Sequence, residues 1–137
     1  MNMNFNKEIL EKLSVVNKTA SSLIVIKFND DDTKLEVEKE EIGNCNFQGA
    51  LDALPDNEGR FVVVHERVTL KDNRQPSAIF AINWLPHTLP IKKRIPFSVY
   101  KKTLFNNLKG NIVDFVLDYR KELVTEVLIE KAVKQIH

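Results

Sequence analysis

Apolar positions along this chain change period from segment to segment, and each change marks a predicted element. Residues 6–15, NKEILEKLSV, place Ile9, Leu10 and Leu13 at helical spacing behind Glu8, the pattern of an amphipathic helix. Ser21–Asn29, SSLIVIKFN, is a β-branched run that predicts a mostly buried strand, and NDDDT then supplies a turn. KLEVEKE alternates Leu35 and Val37 with charge, as an antiparallel strand with one wet face does. NFQGALDALPD predicts a short helix, capped by Asn46, burying Phe47, Leu51 and Leu54, and stopped by Pro55. Strands follow at 60–68 (RFVVVHERV) and in SAIFAINWL, separated by the charged loop TLKDNRQP. NIVDFVLD predicts a further strand, and residues 119–136 a closing helix with Leu123, Val127, Leu128, Ala132 and Ile136 on one stripe.

The stretch IKKRIPFSVYKKTLFNNLKG, residues 91–110, carries five lysines, one arginine and no acid. Phe97, Tyr100, Leu104 and Leu108 recur at spacings of three, four and four, so a helix here buries one stripe. Pro96 requires that helix to begin within a turn before it, near Lys92–Arg94, and Gly110 is placed as the residue after its C-cap. The complete order, α-β-β-α-β-β-α-β-α with adjacent hairpins, predicts an α+β fold. Its sheet is mixed, mainly antiparallel, five-stranded and sandwiched between helices.

Length and charge narrow the function classes. A chain of 137 residues fits a single domain spanning 1–137. Twenty basic residues stand against nineteen acidic ones, so the chain lacks the basic excess of a general nucleic-acid binder and the run at 91–110 is a local patch. The apolar runs are too short to span a bilayer, and MNMNFNKEIL has no signal-peptide core, so a cytoplasmic location is expected. The N-x-T triplet at Asn17 is then expected to stay unmodified.

Candidate chemistry is sparse. Cys45 is the single cysteine, His65, His87 and His137 show no metal-ligand spacing, and the isolated glycines form no phosphate-binding loop. Cys45 reads as an incidental thiol, His65 as a hydrogen-bonded strand histidine, Trp84 as core, and the aspartates at 30–32 as a solvated turn. No catalytic set, metal site or cofactor site is expected, and a binding protein is the favoured class. By residue chemistry alone, the cations at Lys92, Lys93 and Arg94 fit either a solvated cluster or a docking surface. The helix macrodipole does not favour three cations at that end.

LPDNEGRFVVVHERV, AIFAINWLPHTLPIKKRIPFSVYKKTLFNNLKG and the closing charged helix together resemble the actin-depolymerising-factor homology domain, most of all its ADF/cofilin branch. The matching features are Leu54-Pro55 before a strand opening on Arg60-Phe61, Trp84-Leu85-Pro86 ending a later strand, and Leu108-Lys109-Gly110 closing the long-helix region. The resemblance implies a cytoskeleton-associated, monomeric protein that binds actin monomers and filaments and promotes filament severing or depolymerisation. By matching positions, it assigns actin contact to the N-terminal segment and to Lys92, Arg94, Ile95, Ser98 and Lys102 on the long helix. Filament contact falls to Lys71 and Arg74 in the charged loop, with Glu122, Glu126 or Glu130 of the last helix. Phosphoinositide headgroups remain open as ligands, without membrane insertion.

The departures from the family pattern are specific. Ile95 stands where the family has Met, Pro96 is unusual, Lys102 replaces a commonly acidic residue, and the loop at 69–76 is short with few cations. MNMNFNKE contains no serine, so the family's N-terminal phosphorylation switch is not expected to operate. The first sixty residues are similar instead to the glia-maturation-factor branch. That similarity implies an alternative, binding to the branch-nucleating actin-related-protein complex and debranching.

Overall fold

The computed structural model describes residues 7–136, and the expectations for the first six residues lie outside the described residues. Its elements follow the expected order: α1 (Lys7–Lys18), β1 (Ser22–Phe28), β2 (Leu35–Glu41), α2 (Phe47–Asp52), β3 (Arg60–Arg67), β4 (Ser77–Trp84), α3 (Ile91–Phe105), β5 (Ile112–Leu117) and α4 (Thr125–Gln135). The five strands form one sheet in the order β2-β1-β3-β4-β5. Every pairing is antiparallel except β4 with β5, which are parallel and joined through α3.

Two apolar layers flank the sheet, because successive strand side chains point to opposite faces. Leu23, Val25, Val62, Val64, Phe80 and Trp84 meet α2 and α4 through Leu51, Leu128 and Ala132. Ile24, Ile26, Phe61, Val63 and Ala81 meet α1 and α3 through Ile9, Leu13, Val16, Phe97 and Leu104. The α+β sandwich expected from the pattern is therefore observed.

Several expectations need correction at element ends. Helix α1 runs on to Lys18 and also buries Val16, beyond the expected end at residue 15. Helix α3 begins at Ile91, so Pro96 lies past the first turn, where its missing N–H removes the helical partner of the Lys92 carbonyl. The same helix ends at Phe105 with Asn106 as its cap, so Leu108 is buried from the following turn and Gly110 does not cap the helix. Gly110 instead takes a positive φ of 110° on the approach to β5.

The closing helix is also shorter than its periodicity predicts. A single 3-10 turn at Arg120–Glu122 precedes it, because the Glu122 carboxylate accepts the backbone N–H groups of Asp118 (3.1 Å) and Tyr119 (2.9 Å). Leu123 is buried ahead of α4, and Leu128 and Ala132 line its inner face. Val127, one residue before Leu128 and so about 100° around the helix, points outward.

Two long-range polar contacts join segments distant in sequence. The Asn17 side chain donates to Lys109 O and accepts from Lys109 N, both at 2.9 Å, and so joins the end of α1 to the turn before β5. At the open edge of the sheet, Glu38 is an extra residue in β2: Val37 pairs with Ile26 and Lys39 with Val25. This bulge lets Glu38 reach the buried Arg60 with two hydrogen bonds of 3.1 and 3.0 Å, while Arg60 also donates to Gly59 O at 2.7 Å.

Glu38→Gln removes the charge that pairs Arg60. Because Glu38 is partly exposed and Glu58 lies 3.4 Å from the guanidinium, we expect a loss of about 1–3 kcal/mol rather than the full cost of orphaning a buried ion. Urea denaturation checks this: the midpoint should fall with the slope unchanged, and a loss below about 0.5 kcal/mol contradicts it.

Candidate functional site

The inner face of α3 fixes what its outer face presents. Phe97, Tyr100, Leu104 and Phe105 are buried. Phe97 packs on Phe28 and Phe61 with ring centroids 4.9 Å away in each case. Tyr100 meets Phe28 at 5.2 Å and Phe105 meets Phe61 at 5.7 Å. With that side against the sheet, Ile91, Ile95 and Val99 follow one another four residues apart along the opposite side, 76, 54 and 44 % exposed. Lys92, Ser98 and Lys102 are exposed around this stripe.

Of the expected helix contacts, Lys92, Ile95, Ser98 and Lys102 therefore share one outward surface. Ile91 and Val99 were missed in the sequence, although their spacing of four with Ile95 was there to be read. Arg94, assigned to the contact by the resemblance, is half-buried, and its guanidinium donates to Leu89 O (3.0 Å) and Pro86 O (2.9 Å). It secures the 86–90 connection against the first turn of α3. Lys93, which was not singled out as a contact, pairs with Asp32 of the β1–β2 turn at 2.9 Å. Among the described residues, Lys92 alone of these three cations has no ion pair or side-chain hydrogen bond.

A second cluster forms at the other end of the molecule. Lys71, Asp72 and Arg74 of the charged loop line a shallow cavity of about 390 Å³ together with Val133, Lys134 and Ile136 of the α4 end. Loop and helix end thus line one cavity, to which the helix side contributes Lys134 and not Glu122, Glu126 or Glu130. Arg74 Nε donates to Asp72 at 2.7 Å, and the Arg74 backbone N–H and guanidinium hold the Asp72 carboxyl below its ordinary range. Glu130 faces Lys134 at 3.7 Å and Glu126 is exposed. Glu122 is occupied in capping.

The remaining polar candidates have structural roles. His65 is buried, with Nδ1 3.2 Å from Val16 O at the end of α1. Trp84 donates its indole N–H to Pro55 O at 2.8 Å. No group of three His, Cys, Asp or Glu among the described residues is arranged to hold a metal ion. Cys45 is half-buried with its Sγ 3.6 Å from Glu66 Oε1, and burial followed by the Glu66 charge pushes its thiol up to about 12. Such a thiol is a poor nucleophile at neutral pH.

Comparison with known proteins places this fold. The sequence profile of the family described as cofilin/tropomyosin-type actin-binding protein matches residues 2–133. The chain belongs to this family, and its domain is of the actin-depolymerising-factor homology type. It is 32% identical over 109 residues to Actin-depolymerizing factor 6 of Arabidopsis thaliana, covering 78% of this chain and 75% of that protein. It is 29% identical over 112 residues to cofilin of Schizosaccharomyces pombe, covering 82% and 80%. Among solved structures, the Streptomyces griseoflavus cofilin superposes with a TM-score of 0.76 at 20% identity, over 97% of this chain and 98% of that one. The glia maturation factor of Caenorhabditis elegans gives 0.75 at 15% identity, over 96% of each. No helix among the described residues is long and apolar enough to cross a membrane.

Two measurements test the polar assignments. At pH 8, iodoacetamide should alkylate Cys45 of the folded protein at least ~100-fold more slowly than in urea, and equal rates contradict the raised thiol. For Glu122, burial raises the carboxyl, but the Tyr119 and Asp118 hydrogen bonds outweigh it and the net direction is downward from 4.5. Its contribution is therefore present above 4.5 and lost as the pH falls below it. Glu122→Gln, which keeps an acceptor but does not titrate, should flatten the acid limb of stability against pH; an unchanged limb contradicts this.

Proposed function

We propose that this chain acts as one actin-depolymerising-factor homology domain that binds actin monomers and filaments and promotes filament severing or depolymerisation in the cytoplasm. The observation that carries the reading is the exposed stripe Ile91, Ile95 and Val99, bordered by Lys92, Ser98 and Lys102, on the outer face of α3. A small apolar strip bordered by cations suits an acidic protein surface: the charges steer encounter, and the apolar side chains supply the area removed from water. Arg94 contributes by fixing the start of the helix. Lys71 and Arg74, with the end of α4, form the proposed second contact, to a neighbouring filament subunit; Glu130, paired with Lys134, and the exposed Glu126 lie on the same helix. Bridging two subunits favours a filament twist with weaker longitudinal contacts, because a ligand shifts a polymer toward the state it binds better.

A second reading, binding to the branch-nucleating actin-related-protein complex with debranching, is supported by the equal likeness of fold to the worm glia maturation factor. The sequence relatives, an actin-depolymerising factor and a cofilin, favour actin.

Co-sedimentation with bare filaments and with branched networks separates the two. Pelleting with and shortening of bare filaments is the expected outcome; debranching without any interaction with bare filaments sinks the first reading. Lys92→Ala combined with Ile95→Asp should weaken filament binding at least ~10-fold. Both positions are exposed, so the unfolding midpoint should hold within about 0.5 kcal/mol. Arg94 is unsuited to this test because its removal also frees the 86–90 connection.

A further inference from the structure

The two edges of the sheet are treated differently by the sequence. On β2, the bulge at Glu38 and the charges of Glu36, Lys39, Glu40 and Glu41 interrupt the outer row of backbone groups. Strand β5 has no such guard: Ile112–Leu117 reads IVDFVL, without lysine or proline, and pairs with β4 in unbroken register. Among the described residues, no further strand lies beyond it.

Two hydrogen bonds at the ends of β5 fix where its backbone groups point. Asn111 O accepts from Ile79 N–H and Leu117 O from Leu85 N–H, both at 2.8 Å, so the odd-numbered residues turn their N–H and C=O groups toward β4. Those of Ile112, Asp114 and Val116 therefore point away from the sheet. The row ends at Asp118, whose N–H is taken by Glu122. The side chains of Ile112, Asp114 and Val116 share the α3 side of the sheet: Ile112 packs partly into that layer, Asp114 is exposed, and Val116 is 55 % exposed. Val113, Phe115 and Leu117 are buried on the other side, with α2 and α4. One side chain row thus anchors the strand, and the other presents apolar, acid, apolar beside an open backbone.

We propose that the β5 edge receives an extended segment of a partner protein as an added strand, and that this segment carries a lysine or arginine with apolar side chains at the alternate positions on either side. Main-chain hydrogen bonds to Ile112, Asp114 and Val116 supply affinity, and the alternate side chains select the partner. A cation opposite Asp114 completes a cross-strand pair, while apolar residues opposite Ile112 and Val116 cover their exposed surface. A second copy of this chain suits the edge less, because two β5 strands paired antiparallel about Asp114 set like charges directly opposite.

Amide hydrogen exchange read by NMR tests this, with the capped peptide Val-Thr-Lys-Thr-Val as the probe. In the free protein, the amides of Val113, Phe115 and Leu117 should be protected and those of Ile112, Asp114 and Val116 should exchange freely. Excess peptide should slow the latter three at least ~3-fold. The same peptide with Glu in place of Lys should bind about two- to fivefold more weakly, and Asp114→Lys should reverse that preference. Methylating the backbone nitrogen of the peptide's lysine keeps its charge but removes a ladder bond, and should abolish the effect. The proposal is overturned by protection of Ile112, Asp114 and Val116 before peptide is added, or by exchange that the lysine peptide leaves unchanged. Equal slowing by the methylated peptide, or a preference that Asp114→Lys does not alter, overturns it too. Protection that rises with protein concentration alone makes a second copy the occupant and rejects the partner segment.

Discussion

The contact on which the site depends is the packing of Phe97 into the sheet. Its ring lies against Phe28 and Phe61, and the backbone of Gly59 approaches it so closely that a Cβ at that position would stand 2.5 Å from the ring. Any side chain at residue 59 would force the Phe97 ring out of this position, since real carbon atoms do not approach to that distance. With Tyr100 and Phe105 on the same aromatic cluster, the rotation of α3 about its axis is set. That rotation decides which residues meet a partner. The outward stripe at Ile91, Ile95 and Val99 exists because the opposite side of the helix is taken.

Several cations of this protein are used internally. Arg60 spans from β3 to the bulged edge strand, and the bulge with its glutamates makes that edge a poor template for another strand. Arg120 donates to Leu51 O, joining the turn before α4 to the end of α2. Cations in such positions hold elements together, and their charge is partly cancelled before any partner arrives. The docking potential of α3 thus depends less on how many lysines and arginines its sequence holds than on how many the rest of the fold leaves unpaired.

Much of the architecture was legible from periodicity. The order of nine elements, the mixed sheet and the buried stripe at Phe97, Tyr100 and Leu104 all follow from spacing alone. Errors collected at element ends, where a local hydrogen bond overrides a continuing pattern. Glu122 capping Asp118 and Tyr119 shortened the last helix, and Val127, about 100° around that helix from the buried Leu128, faces outward although its position in sequence fitted the inner stripe. The family resemblance carried by Leu54-Pro55, Arg60-Phe61 and Trp84-Leu85-Pro86 is matched by the family profile over nearly the whole chain. Those residues now have physical roles: Arg60 pairs with Glu38, and Trp84 donates to Pro55 O.

The candidate site divides along the same line. By itself, the sequence determined a helix within residues 91–110 with an aromatic inner side and a basic start, because helical period and side-chain chemistry are local properties, while both ends of that helix were set by the fold. Tertiary structure decided what each of the three cations does. Neighbouring helix residues point about 100° apart, so Lys92, Lys93 and Arg94 face different surroundings. Lys93 finds Asp32 on a distant turn, Arg94 finds the carbonyls of Pro86 and Leu89, and Lys92 finds solvent. Those partners come together only when the sheet and helices have packed, which is why three adjacent basic letters became a clamp partner, a brace and one free charge.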